Sequence, residues 1–143
     1  MNKITEMTKT VQLVKADAYG VATTYNGTAD ASGIGIDVSA YNEALIILNS
    51  GTAAGTNTVT LLSTNDNTAV ASAATAITDA AFTVVTSAND DAVQVARVNI
   101  GADKKYLIVS SAVADDACDF GVVAVLNKAQ SVPTAGNTVV FDV

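Results

Sequence analysis

A chain of 143 residues with seven basic and fourteen acidic side chains carries a formal charge of -7. A field of that sign repels polyanions, which argues against nucleic acid and anionic membranes as partners. Half the residues are apolar but only 5% are aromatic, so one domain with an aliphatic core is expected, and there is no histidine. With histidine go the usual general base, the commonest transition-metal ligand and every Ser-His or Cys-His nucleophile pair. The expectation is a protein that is not an enzyme and uses no cofactor or metal.

Residues 1–16, "MNKITEMTKTVQLVKA", form an N-terminal arm or a first strand, with a strand predicted from Thr10 to Ala16. Charges recur through this stretch and no apolar core interrupts them, so it does not read as a signal peptide. No later run reaches the length of a membrane span. From 17 to 127 the apolar period is two, which predicts a β-sandwich domain. Asn26-Gly27 is the favoured pair for a tight turn, a better reading than the glycosylation sequon that Thr28 completes. Strands are predicted over Ile34 to Val38, Glu43 to Leu48 and Thr58 to Leu62. Asn67 to Phe82 is alanine-rich, but its threonines and serines argue against helix, and a long loop with at most one short strand is expected. Further strands follow over Phe82 to Thr86, Ala92 to Ile100, Lys105 to Val113 and Cys118 to Asn127, making about eight. The tail, 128–143, holds the single proline, Pro133, and its end from Thr138 to Val143 has the composition of a last strand.

The residues that could carry chemistry are sparse. Asp90-Asp91 and Asp115-Asp116 are adjacent pairs in predicted turns, where neighbouring side chains diverge. Asn65, Asp66 and Asn67 offer oxygens to a calcium ion but lack the EF-hand spacing and its distal glutamate, so a hairpin loop is expected. Asp119-Phe120-Gly121 matches the kinase magnesium triplet without its companion motifs, and reads as the start of a strand. The lone Cys118 cannot form an internal disulfide, which suits a reducing compartment.

Parity along "VQVARVNIGADKKYLIVSS" adds detail. Val93 and Val95 occupy odd positions and Val98 and Ile100 even ones, which predicts a bulge or bend near Ala96-Arg97. After a turn at Gly101 to Asp103, Leu107, Val109 and Val113 define the core side of the next strand. Lys104 and Lys105 mark its solvated start, and Arg97 is expected to pair with a carboxylate. In "ALIIL" (Ala44 to Leu48) and "FGVVAVL" (Phe120 to Leu126) both faces are apolar, so something should cover the outer face. Two covers are open: a loop or arm of the same subunit, or a neighbouring subunit in a homo-oligomer.

The ordered series "GIGIDVSAYNEALIILNSGT", "VTLLSTNDN", "AAFTVVTSANDDAVQVARVNIGADKKYLIVSSAV" and "ACDFGVVAVL" resembles the capsid decoration, or cement, proteins of tailed bacteriophages over Ile34 to Leu126. The resemblance implies a jelly-roll-like antiparallel sandwich that trimerises. It would bind the major capsid protein and sit on the outer surface of the virion after synthesis in the host cytoplasm. Under it, Ile4, Met7, Val11, Leu13 and Val14 of the arm, with Tyr41, are the candidate partner contacts; the same arm read without it is the first sandwich strand. A carbohydrate-binding jelly roll, using Tyr19, Tyr25 and Tyr41, and a tail or fibre component are the alternative functions.

Overall fold

The computed structural model describes residues 8–66, 68 and 70–127. They form nine strands, β1 (Thr8–Tyr19), β2 (Ala22–Tyr25), β3 (Ile36–Asp37), β4 (Glu43–Ala53), β5 (Thr56–Thr64), β6 (Thr75–Ala76), β7 (Val93–Asn99), β8 (Tyr106–Ala114) and β9 (Cys118–Asn127), and one short 3₁₀ turn over Ala71–Ala73. The described residues of the alanine-rich segment thus form no α-helix.

The strands lie in two sheets. The first has the order β1-β9-β4-β7; the second runs β2-β8-β5-β6, with β3 pairing β8 beside β2. First strand pairs with last, β2 and β3 with β8, β4 with β7, and β5 with β6, all antiparallel. The chain is therefore one long hairpin ribbon. Folding it over on itself brings β4 against β9 and β5 against β8. That winding is an antiparallel jelly roll.

Period-two alternation is what makes the two layers close. Ile46 and Leu48 on β4 and Phe120, Val122 and Leu126 on β9 face Leu61 on β5 and Leu107 and Val109 on β8, and all are buried in one aliphatic cluster. Inside β1, bulges between Gln12 and Val14 and between Val14 and Asp17 break the register. They turn two consecutive residues, Leu13 and Val14, into the core.

Several expectations change. Residues 8–16 belong to β1, which stays paired with β9 as far as Tyr19. The bulge expected near Ala96-Arg97 is absent: Glu43 to Asn49 pair with Asn99 to Val93 without a shift. Gln94, Ala96 and Val98 take the inward side, and Val93 and Val95 point outward. Phe82 to Thr86 is not a strand; only Val85 bridges Asn57, while the Gln94 side-chain amide bonds both backbone groups of Thr83. β2 was not expected, because "ATTY" holds too few apolar residues to show a period. The expected tail strand, Thr138 to Val143, lies outside the described residues.

The loop after β5 does provide a cover, but for the other sheet. Ile108, with no exposed surface, lies on the outer side of β8 and outside the main core cluster. On the same side, the 3₁₀ turn packs against β5, Ala71 is buried, and its N–H donates to Ala31 O at 2.9 Å.

Candidate partner-binding face

Cross-strand partners project to the same side of a sheet, so register maps the outer face of the first sheet row by row. One row is Thr8, Asn127, Glu43 and Asn99; the next Thr10, Val125, Leu45 and Arg97; then Gln12, Val123, Ile47 and Val95; then Gly121, Asn49 and Val93. Leu45, Ile47, Val93, Val95, Val123 and Val125 make a contiguous aliphatic patch across three strands. Val93 is 62% exposed and Val95 56%, and the other four are half-buried by their neighbours. Isolated exposed valines are ordinary; six adjoining aliphatics on one sheet face are the mark of an interaction surface.

The patch has a charged rim. Arg97 reaches Glu43 with both ends of its fork, Nε to Oε1 at 2.8 Å and Nη2 to Oε2 at 2.9 Å, which is the carboxylate pairing expected of it. Beyond the fourth row the face opens into a shallow groove of about 340 Å³, lined by Ala16, Asp17, Asn49, Gly51, Asp119 and Gly121 among others. The β1 bulge forms one wall: a Cβ on Gly121 would lie 2.9 Å from Ala16 Cα. Lys15 donates to Asp17 at 3.0 Å, and this bond, then the Ala18 N–H, holds the Asp17 carboxyl below its usual range while Lys15 is raised. Asp119 is exposed, and no ion pair engages it among the described residues.

The described residues among the contacts expected from the sequence are not gathered on a surface. Ile4 and Met7 lie outside the described residues. Leu13 and Val14 are buried in the chain's own core, and Val11 and Tyr41 pack half-buried against it. The reason is that β1 is spent on closing the first sheet. The residues of the patch were legible only indirectly, as the second apolar face of "ALIIL" and "FGVVAVL" and as the out-of-phase Val93 and Val95.

The remaining polar features are local. Asp90 accepts the Ala53 N–H at 3.0 Å, and Asp91 and Asp115 take positive φ in turns. Asp66 accepts the Thr68 N–H at 2.8 Å, which holds its carboxyl low; Asn67, the third member of that cluster, lies outside the described residues. Asp119-Phe120-Gly121 runs within β9. Among the described residues no group of three or more His, Cys, Asp or Glu side chains could hold a metal ion, and no helix is long and apolar enough to cross a membrane. A second groove, of about 470 Å³, is polar, and its Lys104 is tied to Asp103 at 3.3 Å. Comparison with protein-family models, curated proteins and solved structures returns no match.

Proposed function

We propose that this chain is a non-enzymatic structural protein of a tailed-phage particle. It decorates the outer surface of the assembled capsid, as a homotrimer, and stabilises it by bridging subunits of the major capsid protein. The observation that carries the reading is the aliphatic outer face of the first sheet, which the described residues leave open although they cover part of the other sheet with a loop of their own. Such a protein needs surface, not catalytic groups: several modest contacts made at once add through high effective concentration. Binding only the assembled lattice then stabilises that lattice by mass action.

The glycan-binding alternative has less to stand on. Tyr19 lies against Phe120 with ring centroids 4.6 Å apart and donates its hydroxyl to Lys15 O, and Tyr41 packs on the core, so neither offers a free stacking platform.

The test is mass spectrometry of purified particles from the source of this sequence, as a ratio to the most abundant capsid protein. Roughly one copy per capsid subunit, as repeating trimers on a lattice would give, supports decoration. A ratio far below that assigns a tail or fibre role, and absence from the particle overturns the proposal.

A further inference from the structure

We infer that the open face of the first sheet recognises a protein segment that pairs aliphatic side chains with a lysine or arginine, the cation entering the glycine-floored groove at the end of the patch. The inference rests on the decoration reading and says what chemistry the capsid subunit presents. Two features of one surface meet here. The patch of Leu45, Ile47, Val95 and Val123 runs through Asn49 directly into a groove lined by Gly51 and Gly121, with Ala16 packed against Gly121 and the Asp119 side chain beside Gly51. Asp17 and Asp119 both line the groove. Asp17 already shares its charge with Lys15, whereas Asp119 has no paired cation among the described residues. An apolar ridge alone would satisfy the valines and leave Asp119 partly desolvated and unpaired, an arrangement that costs binding energy; an adjoining cation removes that cost.

Charge also decides among occupants. The chain's own tail, 128–143, has one cation, Lys128, which follows in sequence Asn127 at the opposite end of the face. Asn127 lies six positions along β9 from Gly121, roughly 20 Å at a rise of about 3.3 Å per residue. A second copy of the chain is a poor donor as well. Its net charge is -7, and of its seven cations Lys15, Arg97 and Lys104 are each engaged by a carboxylate of their own chain. The net charge thus favours a different protein as the donor of the cation, because like-charge repulsion works against self-association through this groove.

The test is co-sedimentation of the full chain with purified capsids of the source particle, comparing wild type with Val95→Lys, Asp119→Lys and, as a control on the exposed side of the other sheet, Thr58→Lys. Val95, Asp119 and Thr58 are all exposed, so the variants fold, and thermal melts verify it. The expected result is a loss of affinity of about tenfold or more for Val95→Lys and Asp119→Lys. Thr58→Lys binds like wild type. Wild type, Val95→Lys and Asp119→Lys binding alike would overturn the inference and leave decoration standing; failure of wild type to bind would overturn decoration itself. If Val95→Lys instead changes the sedimentation coefficient of the free chain, the occupant is another copy and the inference fails.

Discussion

Asn26 and Val109, 83 positions apart, complete a strand that the chain interrupts. β2 pairs with Ser110 to Val113 and β3 with Tyr106 and Leu107. In the gap, the Asn26 N–H donates to Val109 O at 2.8 Å, and the Val109 N–H donates to Asn26 Oδ1, also at 2.8 Å. The side-chain amide also donates to Ile34 O, so one residue ties the turn to both sides of the break. Asn26 has φ 47° and Gly27 φ 79°, the conformation an Asn-Gly turn favours.

Two substitutions at this position separate its roles. Asn26→Gly keeps access to positive φ but loses the side-chain bonds, and should cost about 1–3 kcal/mol. Asn26→Ala also meets the left-handed penalty, about 1–2 kcal/mol more. Urea unfolding should rank wild type, glycine and alanine in that order, and equal stability of the two variants would show that backbone conformation adds nothing.

Strand β7 offers a test of which face is inside. Val98 is buried and Val95 is 56% exposed. Val98→Ala should cost about 2 kcal/mol through lost burial and the cavity left behind, while Val95→Thr stays within about 0.5 kcal/mol. Similar losses at both sites, measured by chemical denaturation, would mean that Val95 is covered in the free protein.

Gly121 and Gly51 both floor the groove, yet they should respond differently. A methyl group at 121 meets the Ala16 backbone at 2.9 Å, whereas at 51 the nearest atom is Asp119 Cβ at 3.2 Å, the base of an exposed side chain that can shift. Gly121→Ala should destabilise by about 1–3 kcal/mol through overpacking. Gly51→Ala should melt within a few degrees of wild type.

Acid should unfold the protein through its aspartates. Ser32 Oγ bonds Asp30 and Ser39 Oγ bonds Asp37, each at 2.6 Å with a backbone N–H beside it, and the Thr68 N–H bonds Asp66; all three carboxyls are held below their usual range. A carboxyl lowered on folding contributes stability that is fully present above the unfolded value, about 3.9, and is lost as pH falls through the folded one. The melting temperature should therefore hold from pH 7 to about 5 and fall below about pH 4. Because these groups are exposed the slope should be gentle, and Asp37→Asn should make it gentler; an unchanged slope in that variant would remove Asp37 from the account.

Much of this architecture was readable because it rests on period two. β4, β8 and β9 bury alternate residues in one core, and "ALIIL" and "FGVVAVL" announced their second apolar face directly. Where one face of a strand is small or polar, the pattern misleads. In β7 the inward side is Gln94, Ala96 and Val98 and the outward side starts with two valines, so a regular strand imitates a bulge. β1 carries the converse ambiguity: its bulges bury Leu13 and Val14 together, a pair that no alternation rule would place on one side. The patch itself escaped attention because it is assembled from three strands far apart in sequence, and only register brings Val95, Ile47 and Val123 into a row.

The winding of the ribbon has a geometric consequence. Since β1 pairs with β9, Thr8 and Asn127 are cross-strand neighbours, in the same row as Glu43 and Asn99. The described chain therefore enters and leaves the domain at one spot on its surface, beside the open patch. A tag or cargo joined directly at Thr8 or Asn127 would be anchored at the same corner, and a short peptide joining these two residues could close the domain into a ring without crossing the fold.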